Sequence, residues 1–84
     1  MNVQFTGLFS TLVQGTNSDG QPYATVFFVG DDNKPYQFKL SPDVLDKVPA
    51  VMGTLCTVFL RYYNFRDSSG KQICGFKCTD IKVI

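Results

Sequence analysis

"PYQFKLSPDVLDKVP", residues Pro35 to Pro49, decides how the rest of the chain is read. Its first six residues alternate as a half-buried strand does: Tyr36, Phe38 and Leu40 face one way, Gln37 and Lys39 the other. The alternation stops at Ser41–Pro42. Ser41 can cap a short helix with Pro42 in its first position, and Asp43 suits the positive end of that helix. Val44, Leu45 and Val48 supply a small apolar face before Pro49 ends it. One or two helical turns between strands form a plug, not a layer.

Outward from this segment the pattern is strand throughout. Upstream, Asp31–Asn33 is a tight turn, Tyr23–Gly30 a strand of β-branched and aromatic residues, and Gly15–Gly20 a loop. Before the loop, "VQFTGLFSTLVQ" (Val3–Gln14) puts Val3, Phe5, Phe9 and Val13 on one face, and Gly7 suggests a bend or bulge. Downstream, Gly53–Arg66 is the fourth strand, Asp67–Gly70 a turn, and Lys71–Ile84 the fifth strand. The prediction is an all-β protein: a five-stranded OB-fold barrel with a short helical turn between strands 3 and 4, one domain over residues 1–84. An SH3-like barrel also has five strands; the plug after the third strand favours the OB arrangement.

Composition narrows the function classes. Eight basic and seven acidic residues leave a net charge of +1, so nucleic-acid binding would need a local patch. No apolar run is long enough to span a bilayer and no basic-apolar leader precedes the first strand, which predicts a cytoplasmic protein without a membrane partner. Three cysteines fit no closed disulfide framework. Cys74 and Cys78, four apart on a strand, would be roughly 13 Å from each other, too far for a bridge. All three are read as buried thiols. With no histidine and no glutamate, and with aspartates mostly in turns, neither a metal site nor a cofactor site is expected, and no enzyme or small-molecule substrate is.

Several quoted stretches resemble a known family. "GQPYATVFFVGDDNKPYQFKLS", followed by "GTLCTVFLRYYNF" and "GFKCTDIKVI", is similar to the single-stranded DNA-binding proteins of filamentous phages, the gene V type. The resemblance lies in Gly20-x-Pro22-Tyr23 and the aromatic strand after it, the Tyr36 start of the third strand, Gly53, and the alternating end at Ile81 and Val83. It implies a dimeric OB fold that coats single strands without sequence preference, as a replication accessory of a phage or mobile element. It also implies that the loop before Tyr23 is a DNA-binding wing and that the last hairpin serves the dimer. In the wing, where the family carries basic residues, this chain has Ser18, Asp19 and Gln21; on the last strand Asp80 replaces a basic residue and Lys82 keeps the sign.

Binding single strands without reading sequence needs cations along the backbone and aromatic faces for the bases. "FLRYYNFR" alternates so that Phe59, Arg61, Tyr63 and Phe65 share a face, with Arg66 after them, while Cys56, Val58, Leu60 and Tyr62 read as core. Lys34, Tyr36 and Lys39 form a second group, and Tyr23 and Lys82 complete the candidates. Each has a plainer reading. Tyr36 shares parity with core residues, Tyr63 and Phe65 could be dimer contacts, Tyr23 could cover the barrel mouth, and Lys77 and Lys82 could protect an edge strand. The expected partners are therefore single-stranded DNA or RNA and a second copy of the chain. The competing class is an OB-fold protein–protein interaction module with no nucleic-acid ligand.

Overall fold

In the computed structural model, which describes residues 2–84, alternation of apolar and polar residues produces five strands. They are β1 (Asn2–Thr16), β2 (Pro22–Gly30), β3 (Pro35–Leu40), β4 (Leu55–Arg66) and β5 (Gln72–Val83), with a 3₁₀ helix, Pro42–Lys47, between β3 and β4. The strands close into a barrel in the order β1-β2-β3-β5-β4. Long β1 serves both sheets. Its first half pairs with β4 (Asn2↔Arg61 to Leu8↔Leu55) and its second with β2 (Gly7↔Gly30 to Thr16↔Pro22). Closure comes from a short parallel contact of β3 with β5, Lys39↔Lys77 and Leu40↔Cys78.

The inward faces of all five strands meet in one core. Val26, Phe28, Cys56, Val58 and Cys78 are fully buried, and Phe28 packs edge-on against Phe5 and Phe9, with ring centroids 6.1 Å apart in each case. Burying each large side chain contributes roughly 1.5–3 kcal/mol. The 3₁₀ helix closes one end: Val44 is 2% exposed, and Leu45 and Val48 pack behind it. Ser41 does not cap with its side chain; its carbonyl accepts from the Val44 N–H at 2.9 Å.

Two further expectations change. The irregularity in β1 is not at Gly7 but at Ser10, where the pairing passes from Phe9↔Phe28 to Thr11↔Phe27. The extra residue reverses the parity beyond it. Leu12, opposite Val26, therefore joins the core, while Val13, opposite Thr25, faces out at 43% exposure. The cysteines also differ. Cys56 and Cys78 are buried but Cys74 is exposed, and burial pushes the Cys78 thiol up to about 11.

All three hairpin turns share one design. The first residue's N–H donates to the carbonyl of the fifth and its own carbonyl accepts from the fourth, as in Asn17–Gln21, Gly30–Lys34 and Asp67–Lys71. The fourth residue is left-handed each time: Gly20 (φ 78°), Asn33 (φ 64°) and Gly70 (φ 87°). This is a type I turn followed by a G1 bulge, which suits Gly and Asn. Asn17 and Asp67 brace their turns alike. Asn17 Oδ1 accepts the Asp19 and Gln21 N–H groups at 3.0 and 2.9 Å, and Asp67 Oδ1 those of Ser69 and Lys71 at 3.0 and 2.9 Å. These bonds, with that of the Ser69 hydroxyl foremost, hold the Asp67 carboxyl below its usual range.

The bulge at Ser10 makes a sharp prediction. Leu12→Ala, which removes a partly buried side chain packed on the core, should cost about 1–2 kcal/mol in urea denaturation, within the usual range for destabilising substitutions, and Val13→Ala less than about 0.5 kcal/mol. Equal costs would restore uninterrupted alternation through Val13.

Candidate nucleic-acid interface

Three adjacent strands place three cations side by side. Lys39 on β3 pairs with Lys77 on β5, and Lys77 pairs on its other side with Arg61 on β4. Directly paired residues share a face, so the three side chains stand in one row on the outside of the barrel. All three residues are exposed. Among the described residues the one ion pair is Lys47–Asp80, 2.8 Å, so no carboxylate neutralises the row. Lys47 also holds the Asp80 carboxyl below its ordinary range, chiefly by hydrogen bonding. The acidic residue that interrupts the basic pattern of β5 is thus satisfied from the 3₁₀ helix.

Aromatic residues flank the row on both sides. On one side, two residues along β4, Tyr63 and Phe65 stack with centroids 6.2 Å apart and planes 28° apart. Tyr63 lies across Gly75, where an added Cβ would come within 2.7 Å of the phenol oxygen. Lys39 Nζ stands 5.7 Å from the Tyr63 centroid, within reach of a cation–π attraction. On the other side, Tyr23 is 48% exposed and its ring lies across Gly15. Further down β4, Lys82 Nζ lies 5.4 Å from the Phe59 centroid. Phe59, Arg61, Tyr63 and Phe65 thus share the outer face of β4 as their alternation predicts.

Other candidates are placed elsewhere. Tyr36 turns inward, 4.9 Å from the Phe5 ring, and its hydroxyl donates to Asp32 Oδ2 at 2.5 Å. Lys34 stands in the β2–β3 turn beside Asp31 and Asp32, its N–H bound to Asp32 Oδ1 at 3.1 Å. It is about 17 Å along the strand from Lys39. The trio Lys34–Tyr36–Lys39 is therefore divided among a turn, the inner face and the outer face. Arg66 pairs with Gln72 at the hairpin end, on the face opposite Phe65. That face also carries Tyr62 and Phe76, 36% and 39% exposed, which lie beyond the barrel and not in its core. The segment leading to Tyr23 is a closed five-residue turn, and Tyr23 itself belongs to β2.

Lys77 is the residue the sequence reading misses. Its place beside Lys39 follows from the parallel β3–β5 register, for which no local pattern exists. Beyond that contact the two strands diverge. The cleft between them, about 240 Å³, is lined by Gln37, Lys39, Tyr63 and Gly75.

No protein-family profile matches the chain, and no curated protein does. Among solved structures, the crystal structure of the mitochondrial single-stranded DNA-binding protein Rim1 from S. cerevisiae is similar, with a TM-score of 0.72. The match covers 100% of this chain and 95% of that chain at 11% identity. The likeness is one of fold, and with the strand order above it makes this chain an OB-fold barrel. The filamentous-phage resemblance rests on the sequence motifs alone.

A row of like charges should weaken the fold. Directly opposed like charges are destabilising. Lys77→Thr, which leaves Lys39 and Arg61 without a charged neighbour between them, should therefore raise stability at low salt. The gain should shrink as salt rises. Urea denaturation at two salt concentrations measures both. A loss of stability at low salt would mean that the row is compensated.

Proposed function

We propose that the protein binds single-stranded DNA without sequence preference, as an accessory of DNA replication. The observation that carries this reading is the uncompensated row Lys39–Lys77–Arg61 set between Tyr63–Phe65 and Tyr23. Cations spaced along a face neutralise phosphates whatever the base, and every base has a π-face to stack. The net charge of +1 does not weigh against this, because the charges are segregated. Among the described residues, most aspartates lie in turns or on the 3₁₀ helix, and the one on β5 is paired with Lys47. The fold is shared with a structure described as a single-stranded DNA-binding protein.

The proposal includes a homodimer acting in the cytoplasm. Tyr62 and Phe76, 5.6 Å apart and exposed on the face of the β4–β5 hairpin opposite the Lys39–Lys77–Arg61 row, would lose water against a second copy. Three free thiols, one of them exposed, suit a reducing compartment. One observation favours the protein–protein reading. Leu8 pairs with Leu55, the Ile84 N–H donates to the Leu55 carbonyl at 3.0 Å, and these side chains are 43%, 41% and 69% exposed. A patch of this kind marks an interaction surface, yet it lies away from the cationic row and does not account for it.

Titration of oligo-dT followed by tyrosine fluorescence tests the reading. Affinity should fall with salt with a slope of roughly −0.7 per phosphate contact. Tyr63→Ala should weaken binding by about 1–3 kcal/mol with the slope unchanged, and Lys39→Ala should reduce the slope by about 0.7. Salt-independent affinity, or tight binding only to a protein partner, would support the other class.

A further inference from the structure

The barrel end beside Tyr23 contains a hollow of about 540 Å³. Its floor is apolar: Ala24 and Leu40, 8% and 5% exposed, lie there with Pro42 and Leu45. Lys39 and Lys77 stand on its rim, and no carboxylate lines it. The volume lies in the range of small-molecule sites. An apolar floor under two ammonium groups suits a ligand that is flat and apolar at one end and anionic at the other.

We infer that this hollow takes one unstacked nucleobase of a bound single strand, with the adjoining phosphate held between Lys39 and Lys77. The inference rests on the single-strand reading of the face and deepens it. Continuity decides the ligand. The hollow and the cleft at Tyr63 share Thr25 and Lys39, so a strand crossing Lys39 meets both. Bases on one side of the row stack on Tyr63 and Phe65; on the other, the chain can turn a base past Tyr23 into the barrel mouth. Asn17, Thr25 and the Tyr23 hydroxyl are the uncharged polar groups that line it, too few to select one base strongly. The hollow thus acts as an anchor that fixes where a strand sits, not which sequence it has. It also gives Lys77 a second role, since that residue belongs both to the cation row and to the rim.

The test uses the whole protein with Leu and Ala methyl groups labelled for NMR, and oligo-dT as the probe. Adding oligo-dT should shift the Leu40, Leu45 and Ala24 methyls, with little change at Leu8 and Leu55. Leu45→Trp, which fills the hollow and leaves the row intact, should weaken oligo-dT binding about tenfold with the salt slope unchanged. If wild type binds oligo-dT and these methyls do not move, the inference falls and the reading of the face stands. The wild-type methyl shifts decide this even if Leu45→Trp fails to fold. If wild type does not bind oligo-dT, both fall. If an acidic, apolar peptide shifts the same methyls and oligo-dT does not, the hollow is a peptide site and the inference is overturned.

Discussion

Two residue pairs close this barrel, and much else follows from them. Lys39↔Lys77 and Leu40↔Cys78 are the pairs that join β3 to β5. The second pair points inward and seals the core beside Val44 of the 3₁₀ helix. The first points outward and sets two ammonium groups next to each other, with Arg61 as the third in line. Because the contact is so short, β3 and β5 part on one side of it into the cleft at Tyr63. On the other side lies the hollow at Leu45. Closure, charge and both concave surfaces therefore have one geometric origin.

The same contact explains why a nearly neutral chain can present a cationic face. Three of its eight basic residues are spent on a single row, while the acidic residues gather in turns and on the helix. Like charges in register oppose folding, and a small barrel has little stability in reserve. Such an arrangement makes physical sense when an anion completes it. The tyrosines stiffen the surroundings. Tyr23 and Tyr63 each lie across a glycine of the neighbouring strand, which leaves no room for a Cβ beneath the ring. Two rings held in this way lose less freedom on stacking a base than rings on mobile loops would.

Local chemistry made most of the fold legible. The break at Ser41–Pro42 placed the helix, alternation placed the strands, and Gly20, Asn33 and Gly70 marked turns that all need a left-handed residue. Legibility failed where the information is not local. Ser10 gives no sign that it is the extra residue of a bulge, so Val13 reads as core until its pairing is known. Tyr36 shares parity with Phe38 and Leu40, which leans it toward the core, but its surroundings are known only once Phe5 and Asp32 are seen on either side of it. The stripe Phe59–Arg61–Tyr63–Phe65 was visible because a single strand carries it. Lys77 was not, because its meaning comes from a strand 38 residues away in sequence, Lys39↔Lys77.

On the proposed function, a single strand of DNA lies along the row at the β3–β5 contact. Backbone amide NMR during an oligo-dT titration tests it most directly. The amides of Lys39, Lys77, Arg61, Tyr63 and Gly75 should shift most, with saturation that weakens as salt is raised. Shifts confined to Leu8, Leu55 and Ile84, or to the Tyr62–Phe76 face of the hairpin, would contradict it.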